Sequence, residues 1–307
     1  MLRLMGMALM CGMLSFSARA LWADILLEED FEGEVVVVPW MQEGGWFGSE
    51  LGVGKRVSEE TAASGKRSLE FTVEQGAKGS GGFFHKVKPV ELMYVRYYRM
   101  FAKDWEWWKE GYGPHDTEIY GGKFVRPTDK DIGVYTDFWR TGDTMLRVGT
   151  PLQKGVPNMR EQLGDRYGKL TPGNGFPWNV AEPDKIVPGK WFCVETMAKL
   201  NTPGEKDGVV KLWVNGKLVT SVEDLILRDE EHADITFDMW FLGPYYHPGV
   251  PKTQKTYIDA IVVSTSPIGP LAEDKKSTGL KEQEAADAKQ GAAPGAAQPV
   301  GPQPGKQ

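Results

Sequence analysis

The stretch WFCVETMAKLNTPGEKDGVVKLWVNGKLV, residues 191–219, decides the fold class. From Phe192 to Leu200, one parity holds Phe192, Val194, Thr196, Ala198 and Leu200, and the other holds Cys193, Glu195, Met197 and Lys199. Successive side chains of a strand point to opposite faces of its sheet, so the segment is a strand with one apolar face and one mixed face. Asn201-Thr202-Pro203-Gly204 is turn chemistry, and Asn215-Gly216 between apolar runs is a strong hairpin signal.

The same division recurs along the chain. Met93, Val95, Tyr97 and Phe101 alternate with Tyr94, Arg96, Tyr98 and Met100. Ile132, Val134, Thr136 and Phe138 alternate with Gly133, Tyr135, Asp137 and Trp139, and Ile235, Phe237, Met239 and Phe241 alternate with Thr236, Asp238 and Trp240. One set suits a core. An outward face made of Lys, Glu and Thr would be ordinary, but here Tyr, Trp, Arg and Asp recur, as a ligand surface requires. Arg99 falls on the core parity and is a misfit to the pattern. Gly and Pro punctuate the chain, long helical periodicity is absent and no fixed-period repeat is present. The expected fold is all-β, a jelly-roll β-sandwich of two antiparallel sheets.

Composition agrees. The 307 residues are 41% hydrophobic and 25% charged, which excludes disordered, collagenous and membrane-bundle chains and predicts one large domain or two small ones. A net charge of −6 argues against a nucleic-acid coat protein. The cysteines are Cys11 and Cys193, so zinc-finger and disulfide-scaffold readings fall. The content of 11 Trp, 10 Tyr and 13 Phe suits stacking on sugar faces as well as core packing.

The two ends differ from the middle. Residues 1–20 read as a signal peptide: Arg3, the apolar run Leu4 to Phe16, then Ala18-Arg19-Ala20 at the cleavage positions. Export to the periplasm or medium is therefore expected, without stable membrane insertion, because no stretch reaches the required length of about 20 apolar residues. Met10 stands before Cys11 where a lipoprotein signal has a small residue. Residues 21–270 form the expected domain, and 271–307, rich in Ala, Gly, Pro and Gln, read as a disordered tail. The Pro- and Gly-rich stretch 150–190 is either a lid or binding loop or a surface insertion.

Several segments resemble the concanavalin A-like jelly-roll polysaccharide lyases that act on alginate or glucuronan. They are Trp191-Phe192-Cys193-Val194-Glu195, Leu200-Asn201-Thr202-Pro203-Gly204, Asp207-Gly208, Trp213-Val214-Asn215-Gly216-Lys217 and Tyr257-Ile258-Asp259-Ala260-Ile261-Val262-Val263-Ser264. Tyr94-Val95-Arg96-Tyr97-Tyr98 adds to them, and Gly121-Gly122-Lys123 is similar to a motif whose lysine is catalytic in those lyases. There the motif continues Leu-Pro-Gly, and here it continues Phe124-Val125-Arg126-Pro127. The resemblance spans roughly Asp30 to Ile268 and implies β-elimination on an acidic, uronate-containing polysaccharide. A monomer is expected, without a nucleic-acid partner on the net charge, and without a cofactor because the sequence has no phosphate-cradling Gly-rich motif and no histidine pair at zinc spacing.

That chemistry needs a cation beside the uronate carboxylate, a base for the adjacent carbon acid and an acid for the leaving oxygen. Lys123 is the base if its surroundings depress a pKa ordinarily near about 10.4, with His115 as the alternative. Arg96 or Arg126 neutralises the carboxylate, and Tyr98, Tyr120, Tyr245 or Tyr246 supplies the proton. Tyr135, Asp137, Trp139, Glu195, Asp238, Trp240 and Tyr245 complete the expected sugar-binding face. Two alternatives stand beside the lyase. A hydrolase needs two carboxylates about 5 to 9.5 Å apart, for which Glu195 and Asp238 are available, although the Glu-x-Asp-x-x-Glu pattern of laminarinase-like enzymes is absent. A non-catalytic binder would use Trp139, Tyr98 and Trp240 as a stacking platform. No metal site is expected: Asp129, Asp131 and Asp137 lack a calcium-loop glycine pattern.

Overall fold

A computed structural model describes residues 24–34, 54–107, 114–122, 132–138, 144–149, 156–157, 161–162, 186–246, 249–272 and 274, with backbone alone at 84 and 144–149. Thirteen strands follow one another: β1 (Ile25–Glu29), β2 (Lys55–Ser58), β3 (Ser68–Val73), β4 (Phe83–Val90), β5 (Leu92–Phe101), β6 (His115–Gly121), β7 (Ile132–Phe138), β8 (Thr144–Gly149), β9 (Phe192–Lys199), β10 (Gly208–Val214), β11 (Lys217–Leu225), β12 (Phe237–Tyr245) and β13 (Gln254–Ser264). They form two antiparallel sheets, as the alternation predicts. The large sheet is ordered β11-β10-β9-β5-β13-β3-β2, with β1 also paired to β13, and the small sheet is ordered β4-β12-β6-β7-β8. No described helix is long and apolar enough to cross a membrane.

The core lies between the sheets. Val95, Tyr97, Phe101, Phe192 and Val194 of the large sheet meet Ile119, Val134, Phe138, Trp240 and Leu242 of the small one. Phe138 contacts Phe101 and Phe192 edge-on, with ring centroids 5.7 and 5.6 Å away. Burying each such ring contributes about 1.5–3 kcal/mol relative to exposure. The division of side chains read from β5, β7 and β9 is therefore the division between core and outer face.

The misfit Arg99 resolves as a charge pair across the core. Its guanidinium Nη2 lies 2.9 Å from Asp116 Oδ1, with both side chains fully buried. Burial pushes the Asp116 carboxyl above its ordinary value, and the Arg99 charge draws it back down.

Three of the motifs that carried the resemblance serve the fold itself. Asn215 and Gly216 both have positive φ, 50° and 77°, and they join Val214 directly to Lys217, the geometry of a two-residue hairpin turn. Asn201 is fully buried and its amide is saturated. It accepts from the Leu227 and Arg228 amides and donates to the carbonyls of Thr202, Glu205 and Arg228. At Asp259-Ala260 the register of β13 against β5 shifts, with Ala260 at φ 47°. Asp259 holds that irregularity by accepting from the amides of Ala63, Ser64 and Ala260.

Residues 1–20 and most of the stretches 150–190 and 271–307 lie outside the described residues. Within the first of these stretches, Gln162 exchanges two hydrogen bonds with the Ile226 backbone, which docks that part of it beside β11.

Replacing Asn201 by Ala orphans several buried backbone groups at once. The expected loss is at least about 2 kcal/mol of unfolding free energy in urea denaturation, and a change below about 0.5 kcal/mol would contradict this role.

Candidate active site

The small sheet turns its second face away from the core, and register alone arranges the side chains there. Across one row lie Lys86, Met239, Tyr120 and Gly133, and across the next lie Phe241, Glu118 and Tyr135, with Arg147 at the register position beyond. A third row holds Tyr245, His115 and Asp137. Neighbouring strands are about 4.8 Å apart and alternate residues about 6.6 Å, so these rows tile a polar and aromatic trough. Gly133 has a steric reason. A Cβ there would come within 2.6 Å of Glu118 Oε1 and 2.8 Å of the Tyr135 ring, which both lean over it.

His115 is the chemical centre of this face. Its Nδ1 lies 2.9 Å from Asp137 Oδ1, and its ring stacks on Tyr245 at 6.2 Å and 10°. A carboxylate oxygen accepts, so Nδ1 is the donor of this contact and Nε2 is the ring nitrogen left to other partners. The His115 side chain is 25% exposed and Asp137 only 7%, so the carboxylate is sheltered while the imidazole edge stays accessible. At the β4 side Asp238 is half-buried; burial raises its pKa and the nearby Lys86 charge opposes that rise.

The expected site residues do not share one trough. Tyr135, Asp137, His115, Asp238 and Tyr245 belong to the small sheet. Arg96, Tyr98 and Glu195 lie on the outer face of the large sheet, with the two layers, about 10 Å apart, between them and the trough. There Glu195 and Tyr98 hold the chain that follows β13. Glu195 accepts from the amides of Ile268 and Gly269. The Tyr98 hydroxyl accepts from the Leu271 amide and donates to Asp274 Oδ2. Arg96 donates from Nη1 to the Ala260 carbonyl and lies over the Tyr98 ring. Beneath this cover Cys193 is buried, and its thiol is pushed up to about 12, chiefly by burial.

Two further corrections follow from packing. Trp240 is fully buried in the core, because the register of β12 shifts between Phe237 and Met239 and the inward parity passes to Trp240 and Leu242. Tyr246 is also a core residue, packed on Trp105 at 5.5 Å. Glu195 and Asp238, on opposite outer faces, form no hydrolase pair. Lys123, Arg126 and Trp139 lie outside the described residues, Lys123 directly after Gly122 at the end of β6.

Glu118, Lys86, Met239 and Phe241 share this face and were not among the expected site residues. The signal for Glu118 was present in Thr117-Glu118-Ile119-Tyr120, whose alternation places Glu118 and Tyr120 on the face opposite Ile119.

Residues 185–261 match the family model described as polysaccharide lyase 14, a segment that runs from β9 into β13. Solved structures share the fold. Alginate lyase vAL-1 from Chlorella virus aligns with a TM-score of 0.52 at 15% identity, over 69% of this chain and 90% of that one. The marine PL-14 alginate lyase from Aplysia kurodai gives 0.55 at 15% identity, over 71% and 87%. The endo-beta-1,4-glucuronan lyase from the fungus Trichoderma reesei gives 0.51 at 14% identity, over 79% and 96%. No curated protein matches the chain.

Removing the Tyr98 hydroxyl should loosen the covering segment without touching the trough. In Tyr98→Phe, thiol labelling of Cys193 is expected to quicken about fivefold to tenfold, the equivalent of one buried hydrogen bond, while turnover on any substrate stays as in the parent. A collapse of turnover with unchanged labelling would return Tyr98 to the chemistry.

Proposed function

We propose that the chain is an exported polysaccharide lyase that cleaves an acidic, uronate-containing polymer by β-elimination in the trough of the small sheet. The observation that carries this reading is the His115–Asp137 pair with Tyr245 stacked on it, on an outer face lined by Tyr120, Tyr135 and Glu118. The match to a polysaccharide lyase family supports it.

His115 acts as the base. Its Nε2 takes the proton from the carbon next to the uronate carboxylate, and the released electron pair forms the carbon–carbon double bond. The bond to the glycosidic oxygen at the neighbouring carbon breaks as that double bond forms, and its electron pair leaves with the oxygen. A phenol of the trough, Tyr245 or Tyr135, gives its proton to that oxygen, and the chain separates into a new unsaturated end and a free hydroxyl. Asp137 holds the imidazole tautomer and offsets the positive charge that His115 gains. Lys123 and Arg126, in the segment directly after β6, neutralise the substrate carboxylate and so stabilise the charge that develops there. Arg96, Tyr98 and Glu195 have no part in this scheme, because they secure the opposite face.

Incubating the mature chain with alginate, glucuronan and other polyuronates tests the reading. Ultraviolet absorbance from unsaturated ends is expected on at least one polymer. His115→Ala should lower that rate by about a hundredfold or more, the range of general base catalysis, and Lys123→Ala should abolish it while polymer binding survives. New reducing ends without absorbance would mean hydrolysis, and retained binding without products would mean a sugar-binding protein.

A further inference from the structure

β6 carries an extra residue at the edge of the trough. His115 faces Asp137 and Thr117 faces Thr136, so Asp116 has no counterpart on β7. On the other side of β6, His115 faces Tyr245 and Thr117 faces Leu242, so there the extra residue belongs to β12 and the bulge of β6 is defined against β7. Thr117 is buried, its partner Thr136 shares a hydrogen bond with Thr196 of the large sheet, and Ile119 lies in the core, so this parity of β6 points inward. In an unbroken strand His115 would share that parity and point into the core. The inserted residue reverses it. His115 turns outward to Asp137 and Tyr245, while Asp116 and Thr117 both face in.

Asp116 therefore sits as a carboxylate in a dry core, where it is stable only opposite a compensating charge. That charge is Arg99, which comes from β5 of the other sheet, has Nη2 at 2.9 Å and has no exposure to solvent. The contact is an ion pair without an aligned hydrogen bond. The pair thus bridges the sandwich directly behind the imidazole.

We propose that Arg99 is a positioning residue for His115: by holding Asp116 inward it fixes the bulge that turns the imidazole into the trough. The inference rests on the lyase reading for its catalytic consequence, but not for its geometry. Without Arg99, Asp116 reaches solvent by exchanging faces with its neighbour, and His115 is carried off Asp137. Charge itself is not required at this place. Any side chain at 116 that prefers the core holds the bulge equally well.

The test compares Arg99→Met with the double variant R99M/D116L, in which an apolar side chain at 116 belongs inside. The readouts are the imidazole nitrogen and Nδ1–H resonances of His115, assigned with His115→Gln, together with kcat and KM on the cleaved polymer. In Arg99→Met the hydrogen-bonded Nδ1–H signal is expected to disappear, and kcat to fall about tenfold or more with KM within about threefold, as for a displaced base. In the double variant both are expected to return. Should Arg99→Met fail to fold, the milder Arg99→Lys serves, with a weakened signal and a partial loss of kcat expected. A folded Arg99→Met or Arg99→Lys that keeps the full His115 signal and rate overturns the proposal, as does a folded double variant that restores neither. If the parent cleaves no polymer, the lyase reading fails, and the resonances still decide the positioning role.

Discussion

Every side chain in this molecule answers to one constraint: two sheets must fill the narrow space between them, and each strand can offer that space only every second residue. Once Ile119, Val134, Phe138 and Leu242 are committed to the core, their neighbours along the strand are committed to the outer face. A functional group can change sides only where the strand breaks its own alternation. The structure does this beside the trough, at Asp116 of β6 and between Phe237 and Met239 of β12. In the large sheet β13 shifts its register between Asp259 and Val262, and Ala260 takes up a left-handed backbone there, held by Asp259. Such irregularities set which residues meet solvent.

This accounts for what could be read from the sequence. β5, β7 and β9 keep strict alternation, and their core faces are legible as Val95 and Tyr97, Val134 and Phe138, and Val194 and Ala198. The hairpin at Asn215-Gly216 is legible because positive φ at both positions restricts the chemistry. Trp240 was misplaced because the sequence of β12 gives no sign of its register shift. His115 was named as a candidate base, whereas the reason it faces outward was not legible, since that reason is an inserted residue defined only against β7. Arg99 belongs to the same case: a charge on a core parity has no local explanation, and its partner lies on a different sheet.

Arg96, Tyr98 and Glu195 show a second limit. Alternation separates inward from outward, but it does not say whether an outer face meets solvent, a ligand or another part of the chain. On the large sheet Glu195 and Tyr98 meet backbone amides of Ile268, Gly269 and Leu271, which need acceptors wherever the chain runs over a sheet without joining it. A carboxylate spanning two successive amides and a phenol taking a third satisfy that need. Aromatic and charged residues on one face are therefore equally suited to gripping a sugar and to securing a segment from far along the chain.

The two faces also divide fold from chemistry. The segment that matches a lyase family, 185–261, supplies β9 to β12 and most of β13, and so four of the eight strands of the large sheet. Its motif residues Asn201, Asn215 and Asp259 are engaged in turns and in a strand irregularity. Asp238, Met239, Phe241 and Tyr245 apart, the groups of the trough come from β4, β6 and β7, outside that segment. Substitutions in the trough strands can change what the face recognises while the turns that define the sandwich stay as they are. The limit on such change is the core behind the trough, because the strand that presents His115 outward also turns residue 116 inward, where Asp116 meets a charge supplied by the opposite sheet.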